Sequence, residues 1–422
     1  MRRLLLITDS FPPAFAPRMG YLCKYLKGIG GWQVTVLHMP PSDNSHSQSF
    51  GYLSGFADKV YEYDGTDGAR KLFRGQVADM LHGRNSIWGF IMMVWSKLVM
   101  RILGEPTNFT GRRFVRELLS QDEYDVILAS TGGHCNTVNK LAYYASRRAN
   151  IPVVLDFRDM FEQYAHGRKT VSLRSRISLW TRNRLIRHAN NVIGVCAEET
   201  EILKKFNDRV HNIMNGYDPD VFSPLFPVKS DVFKIVYVGS TNTTTYPVEL
   251  FVKGFTRFIN GRFKPSVHVE FYSTKETYES GVAQYLSGDV QSFFERRDCV
   301  AQTKLPSVLA QASVLIVFGH KTTGVPVGVS TKVYEYLAVN RPILEINLGD
   351  LRKCEDIIRG GGGALPRRQK RSALSLQKPT PSGRRTDLCA GEPTWNMSGN
   401  SRARLRQSNL RKCLKMRCRH RK

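Results

Sequence analysis

The sequence has 422 residues, and its 41% hydrophobic and 10% aromatic content is enough for two or three packed domains. This composition excludes a wholly disordered chain and a small scaffold held by disulfides. The formal net charge is +26, but residues 360–422 alone hold 17 basic and two acidic side chains. The remainder is only moderately basic, so its charge does not by itself favour a nucleic-acid-binding protein.

The eight cysteines include no Cys-x-x-Cys pair, and their scatter indicates buried reduced thiols rather than a zinc site or a disulfide framework. The N-terminal apolar run stops at Thr8, which is too early for a signal peptide. No uncharged apolar stretch reaches the length of a membrane-spanning helix. These features predict a cytoplasmic protein.

The first half of the chain alternates short apolar runs with helical patterns. Parallel strands that are buried on both faces give such runs, so the alternation predicts a doubly wound α/β domain. The predicted strands are Leu4–Thr8, Gln33–Leu37, Val126–Ala129, Val153–Asp156, Val192–Val195 and Asn212–Met214. The predicted helices are Arg18–Ile29, Asn136–Arg148 and Glu198–Phe206.

The second half repeats the alternation after a turn-rich segment, Asn215–Phe222, which predicts a domain boundary. We expect Rossmann-like domains over residues 1–220 and 221–359, followed by a basic disordered tail over residues 360–422. The predicted strands are Phe233–Val238, Val267–Tyr272, Val314–Phe318 and Pro342–Ile346. The predicted helices are Pro247–Ile259, Leu305–Gln311, Thr331–Ala338 and Asp350–Ile358.

Two segments of the first half combine positive charge with apolar residues. Ser86–Leu103 is mostly apolar, with Lys97 and Arg101 one helical turn apart. Arg168–Arg187 has seven basic residues and no acidic one. A buried helix and a solvated helix face are the plainer interpretations. Together the two segments also fit a domain that rests on an anionic membrane surface.

Four segments of the sequence form a recognisable set. They are Ser10–Arg18 leading into Gly31–Leu37, Val154–Asp159, Asn215–Phe222 and Ser330–Leu344. In this order and spacing they resemble retaining glycosyltransferases of the GT-B fold, family 4, especially bacterial members that build surface polysaccharide. The resemblance covers about residues 1–359 and implies two Rossmann-like domains facing a cleft. It also implies transfer of a sugar from a nucleotide-diphosphate sugar to a glycan acceptor, expected to be lipid-linked.

The second domain carries the predicted donor site. Ser330 precedes a helix that begins at Thr331, and free backbone amides at a helix N-terminus favour a phosphate. Lys332 adds positive charge there, and the Glu335 carboxylate can accept hydrogen bonds from ribose hydroxyls. The alternative is a surface Lys–Glu pair. By resemblance Glu335 is the second glutamate of the family's paired motif, and Val327 stands at the position of the first.

A Thr-rich loop, which begins with Gly239, Ser240 and Thr241, follows the first strand of the second domain. Many enzymes of the family place an arginine in this loop to hold the diphosphate. Hydroxyls and backbone amides would substitute for it here, unless Lys253 or Arg257 reaches the site. The alternative is a plain turn.

The resemblance also implies site residues in the first domain, where the segment ending in Asp156, Arg158 and Asp159 would face the cleft. Arg158 would contact acceptor or donor and Asp159 would orient it. With His134, which ends another strand at the same edge, they are the predicted catalytic residues. Arg18 is the predicted binding residue for an anionic acceptor, and Asp156 is also predicted to bind the acceptor. The alternative is charges that only pair with one another.

Retaining transferases of this type need no protein nucleophile, because the leaving phosphate can assist the incoming hydroxyl. The one Asp-x-Asp pair, Asp218 and Asp220, lies in the predicted turn, so we expect neither a metal nor another cofactor. The expected partners are a nucleotide-sugar donor, a lipid-linked or oligosaccharide acceptor and an anionic membrane surface. The expected location is the cytoplasmic face of the cell membrane.

Two other functions stay open. One is a nucleotide-sugar epimerase of the same fold, and the other is a nucleic-acid-binding protein, motivated by the total charge. In GT-B enzymes the last helices return to the first domain and brace the cleft, and nothing after Arg359 resembles them. We therefore also hypothesise a shifted reading frame near Gly360, an incomplete second domain and impaired activity.

Overall fold

The computed structural model describes residues 1–14, 16–39, 50–63, 109–132, 136–159, 173–222, 232–241, 246–260, 266–319 and 329–346. These residues form two compact units that divide between Asn215 and Gly216. The predicted helix Asp350–Ile358, the apolar segment Ser86–Leu103 and the predicted tail lie outside the described residues.

A seven-stranded parallel sheet forms the centre of the first unit, with strand order β3-β2-β1-β4-β5-β6-β7. Its strands are β1 (Arg2–Thr8), β2 (Trp32–His38), β3 (Lys59–Glu62), β4 (Val126–Thr131), β5 (Val153–Phe157), β6 (Asn191–Gly194) and β7 (Val210–Asn212). Its helices are α1 (Pro17–Ile29), α2 (Phe109–Gln121), α3 (Thr137–Ala149), α4 (Leu173–His188) and α5 (Ala197–Lys204), and Gly51–Phe56 forms a 3-10 helix.

Both faces of this sheet are buried, which explains the continuous apolar runs of its central strands. Leu5 and Ile7 of β1 pack into the core on the face of α3, whereas Leu4 and Leu6 pack into the core on the face of α1. Successive side chains of a strand point to opposite faces, so a single apolar run fills both cores.

The second unit repeats this plan with a five-stranded parallel sheet of order β10-β9-β8-β11-β12. Its strands are β8 (Phe233–Val238), β9 (Val267–Tyr272), β10 (Phe294–Arg297), β11 (Val314–Phe318) and β12 (Ile343–Ile346). Its helices are α6 (Val248–Ile259), α7 (Lys275–Gly281), α8 (Leu305–Ala310) and α9 (Thr331–Ala338), with 3-10 helices at Ala283–Tyr285 and Gly288–Phe293.

The expected alternation of strands and helices is present in both units. The helices Phe109–Gln121 and Lys275–Gly281 were not predicted, and the main differences among the strands lie at sheet edges. The strand expected at Asn212–Met214 is instead β7, because Val210 pairs with Val192 of β6. The edge strands β3 and β10 were not predicted. Each has four residues and partly polar sequence, so neither gives an apolar run.

Packing explains why the second unit begins before residue 221, the predicted first residue of the second domain. The side chain of Phe222 is buried in the second unit's core, where it packs with Val236 and Leu309. The Asp218 carbonyl accepts hydrogen bonds from the backbone amides of Val221 and Phe222, at 3.2 and 2.9 Å. The turn before Phe222 therefore folds with the second unit.

Candidate functional site

The carboxyl ends of β1, β4 and β5 lie side by side in the first sheet, because these strands are neighbours. The polar residues that follow the three strands therefore meet at one edge. Ligands of open α/β sheets bind at this kind of edge. Two ion pairs occupy it, Arg18 with Asp156 and Arg158 with Asp9.

Arg18 is the centre of the first ion pair. Its Nη2 and Nε donate to the two oxygens of the Asp156 carboxylate at 2.8 and 3.2 Å. The same guanidinium donates to the carbonyls of Ile213 and Met214 and to Oδ1 of Asn215. An arginine has five N–H donors, so all of them have protein partners. The role of Arg18 in acceptor binding stays a prediction. Such binding would require Arg18 to exchange these protein hydrogen bonds for bonds to the acceptor.

Asp156 is buried and accepts a third hydrogen bond besides the two from Arg18. Ser130, at the end of β4, donates its hydroxyl to Oδ2 of Asp156 at 2.8 Å. The carboxylate thus joins three segments of the first unit. Asp156 therefore pairs with Arg18 of α1, whereas Arg158 from its own segment pairs with Asp9.

The second ion pair lies at the end of β1. The guanidinium of Arg158 donates to Oδ1 of Asp9 and, at 3.4 Å, to the hydroxyl of Ser10. Asp9 also accepts from the backbone amide of Gly132 at 2.7 Å. Nε of Arg158 has no hydrogen-bond partner among the described residues. His134 lies outside them, so the proximity of the three predicted catalytic residues stays a prediction.

Glu199, in the first turn of α5, was not predicted as a site residue and is buried beneath this edge. Its Oε2 accepts the backbone amide of Val195 at 2.8 Å, and Oε1 has no hydrogen-bond partner within the described part of the chain. Burial, with smaller contributions from Asp156 and Asp159, raises the pKa of Glu199 to about 8. Glu199 is therefore mostly a neutral acid at pH 7.

In the second unit, the residues predicted to bind the donor gather where β8 ends and α9 begins. Gly239 has φ +120°, a conformation that favours glycine, and the ammonium end of Lys332 occupies the position that a Cβ at Gly239 would take. Nζ of Lys332 lies 3.2 Å from the hydroxyl of Tyr237, which donates to the Ser240 carbonyl at 2.6 Å. Burial lowers the pKa of Lys332.

Glu335 is one turn further along α9 and is 5% exposed. Nε2 of Gln302, also buried, donates to Oε1 of Glu335. Burial raises the pKa of Glu335 to about 7, while Gln302 and Lys332 both act to lower it. The expected alternative of a surface Lys–Glu pair is therefore wrong, because Glu335 is not at the surface.

The N-terminus of α9 completes this group. Ser330 is the N-cap residue and is exposed, and its hydroxyl makes no capping hydrogen bond within the described residues. The amides of Thr331 and Lys332 belong to the first turn, where helical backbone amides lack an intrahelical acceptor. A positive side chain and these amides together make a suitable position for a phosphate.

Thr241 is the exception among the predicted donor-binding residues. Its side chain is buried against α7, where its hydroxyl donates to the carbonyl of Thr277. The hydroxyl is therefore already engaged within the unit. Lys253 does not reach the site, because it pairs with Glu249 at 2.5 Å on the exposed face of α6.

One group of potential metal ligands occurs among the described residues, on β9 and β10. His268, Glu270 and Glu295 place ligand atoms within 4.8 Å of one another. Lys234 and Arg297 already lie 3.4 and 3.8 Å from Glu270, and Arg297 lies 2.9 Å from Glu295. The two positive side chains balance the two carboxylates, so this group is an ion-pair network rather than an obvious cation site.

Sequence reasoning missed Asp9, Tyr237 and Gln302 as partners of predicted residues. Asp9 directly follows a strand, which is a signal that could have identified it. Tyr237 looks like an ordinary core residue of β8, and Gln302 lies in a turn 33 residues before Glu335. Neither position carries a motif.

Comparison with known proteins bears on the fold. Residues 18–221 match the model of Glycosyltransferase Family 4. The chain has the GT-B fold. A glycosyltransferase from Rickettsia africae superposes with a TM-score of 0.52 at 13% identity, over 83% of this chain and 81% of that one.

Two further structures show the same GT-B fold. Sucrose-phosphate synthase from Thermosynechococcus elongatus has a TM-score of 0.50 at 13% identity, over 83% of both chains. Anabaena HepE in complex with UDP and glucose has a TM-score of 0.50 at 11% identity, over 82% of this chain and 81% of that one. A comparison with curated proteins gave no match. Identities this low support the fold, and the activity is a separate question.

Proposed function

We propose that the protein is a retaining glycosyltransferase of family 4 that moves a sugar from a nucleotide-diphosphate sugar to a glycan acceptor. The observation that carries the proposal is the group of Lys332, Glu335 and Gly239 at the open N-terminus of α9. The family match over residues 18–221 supports it from the other unit.

In the second unit, the diphosphate of the donor binds Lys332 and the amides of the first turn of α9. The backbone of Gly239 and Ser240 lies against it, since a glycine lets a ligand approach the chain closely. The carboxylate of Glu335 accepts hydrogen bonds from the two ribose hydroxyls. A buried carboxylate gains most from such bonds, because it has lost its hydration.

The transfer breaks the bond between the anomeric carbon of the sugar and the diphosphate oxygen, and the bond's electrons leave with the nucleoside diphosphate. A new bond forms between the anomeric carbon and the acceptor hydroxyl, whose proton passes to the departing diphosphate. Lys332 stabilises the negative charge that builds up on the diphosphate. The proposed step needs no protein nucleophile, metal or other cofactor.

The acceptor in this proposal is a lipid-linked glycan of polysaccharide biosynthesis, which would place the enzyme on the cytoplasmic face of the membrane. Arg158, Asp159 and His134 act at the acceptor end, while Asp156 holds Arg18 in place. None of the described helices has the length and hydrophobicity to span a bilayer. Association with the membrane is therefore proposed to be peripheral.

The proposal is tested by donor binding before turnover, because the atypical sequence after residue 359 predicts impaired activity. The full chain is screened by thermal shift against a panel of nucleotide-diphosphate sugars, and hits are confirmed by calorimetry. We expect at least one donor to bind wild type and to bind Glu335→Ala much more weakly. Glu279→Ala, on an exposed face of α7, is the matched control.

Absence of binding by every donor, or equal affinity of Glu335→Ala, would overturn the proposal. A hit that is converted to an epimer without an acceptor would favour the epimerase. Affinity for polynucleotide that persists after removal of residues 360–422 and falls steeply with salt would favour the nucleic-acid-binding function.

A further inference from the structure

Among the described helices of the first unit, α4 carries the most basic residues, whereas α1 and α3 carry three each, also without an acidic one. Helix α4 contains five arginines and no acidic residue. By contrast, α2 pairs Arg113 with Glu117, and α5 pairs Lys204 with Glu201, on their exposed faces. Solvated protein surfaces usually mix both signs of charge. A helix that carries only positive charge is therefore suited to bind an anionic partner.

Four exposed residues of α4 form a single stripe, which consists of Arg176, Trp180, Arg184 and Arg187. At 100° per residue these positions fall within an arc of about 80° and span about 16 Å along the helix. Trp180 is 59% exposed, and the guanidinium of Arg184 lies 5.7 Å from the centre of its ring.

The rest of α4 anchors the stripe to the first unit. Leu185 and Ile186 are buried in the core beneath α3 and the sheet. The side-chain amide of Asn136 donates to both the carbonyl and the hydroxyl of Ser178, at 3.0 Å each. Because this inner face is fixed by packing, the stripe is a preformed and rigid surface.

We infer that this stripe on α4 docks the protein on an anionic lipid surface. Arginines interact with lipid phosphates, and a tryptophan with a polar N–H and an apolar ring is suited to the headgroup level. Each basic residue near such a surface adds to the affinity. The inference rests on the proposed function in one respect, since a lipid-linked acceptor requires the enzyme to work at a membrane.

The test compares two double variants of the full chain that lose the same charge from different helices. Arg176→Gln/Arg184→Gln alters the stripe, and Arg112→Gln/Arg116→Gln alters exposed arginines of α2. Both are sedimented with vesicles of phosphatidylcholine, with or without phosphatidylglycerol. We expect the stripe variant to bind anionic vesicles about tenfold more weakly or worse, and the α2 variant to stay near wild type. Equal losses would overturn the inference, because the basic residues 360–422 are common to both.

A second measurement locates the contact at Trp180. The emission of Trp180→Phe is subtracted from that of wild type, which isolates the signal of Trp180 from the other tryptophans. Brominated lipids in anionic vesicles are expected to quench this difference signal, and an unquenched signal would contradict docking. If the stripe variant keeps vesicle binding but loses affinity for single-stranded polynucleotide, the partner is nucleic acid and the inference is wrong.

Donor binding separates this inference from the proposed function. The stripe variant should bind nucleotide sugars like wild type, because none of its residues lies in the proposed donor site. If a donor binds but vesicle binding does not depend on the stripe, only the docking proposal is contradicted. If vesicle binding depends on the stripe but no donor binds, only the glycosyltransferase proposal is contradicted.

Discussion

The carboxyl edges of the two sheets are built alike but treat their charges differently. In the first unit, Arg18 and Asp156 satisfy each other and every guanidinium donor has a protein partner. In the second unit, Lys332 and Glu335 are drawn into the protein with few partners, and burial shifts both of their pKa values. Oppositely charged residues at equivalent edges thus form a structural ion pair in one unit and a candidate ligand site in the other.

The difference has a physical meaning. Charges that neutralise each other gain little from a ligand, whereas buried charges with few partners gain stabilisation when a ligand supplies the missing hydrogen bonds. The raised pKa of Glu335, about 7, and the lowered pKa of Lys332 therefore point to the second edge as the place where binding free energy is available.

The largest expected effect is the loss of stability when the ion pair between Arg18 and Asp156 is broken. Asp156→Asn leaves the buried guanidinium of Arg18 without its counter-charge, and we expect the free energy of unfolding to fall by about 3–5 kcal/mol. Urea denaturation followed by circular dichroism measures it. Glu117→Gln, which breaks the exposed pair with Arg113, should change stability far less. A loss at Asp156→Asn no greater than in this control would mean that Arg18 is not a structural residue.

The next effect concerns Glu199, whose pKa is about 8 in the folded protein and near 4.5 when unfolded. Between these values the folded state binds the proton more tightly, so the stability contributed by the protonated form is lost as pH rises. Glu199→Gln, which stays neutral, should gain stability over wild type on the order of 1 kcal/mol per pH unit in this window. Thermal unfolding from pH 5 to 8 measures the difference. A pH-independent difference would contradict the raised pKa.

The third prediction concerns donor affinity at the second edge. Glu335→Gln keeps an oxygen that can accept from Gln302 but loses the negative charge that would bind ribose hydroxyls. We expect about 10- to 100-fold weaker binding of a nucleotide sugar at pH 8, measured by calorimetry. Folded stability at that pH should not fall, because a buried charge has been removed. A destabilised variant with unchanged affinity would identify Glu335 as a purely structural residue.

The smallest expected effect is a displaced pH profile. If the charged form of Glu335 binds ribose, as proposed, affinity for an intact nucleotide sugar should rise with pH through about 7 and level off above it. Gln302→Leu removes a hydrogen bond that lowers the pKa of Glu335, so its profile should be centred at higher pH. Glu335→Gln should show no such rise. Identical profiles for wild type and Gln302→Leu would show that Gln302 does not position Glu335.

The sequence by itself determined the architecture and most of the elements. Strands buried on both faces must be almost entirely apolar, so β8, β9 and β11 could be read with the bounds that the structure has. The helix Thr331–Ala338 was read in the same way, and its 3.6-residue period already placed Lys332 and Glu335 one turn apart. Short, partly polar edge strands such as β10 gave no comparable signal.

Only the tertiary structure decided what the charged residues do. Arg18 finds its partners 138 to 197 residues along the chain, and Gln302 meets Glu335 across 33 residues. Whether a carboxylate forms an ion pair or is buried with an altered pKa depends on which strands become neighbours and how much water they exclude. These are properties of packing, and local sequence does not encode them.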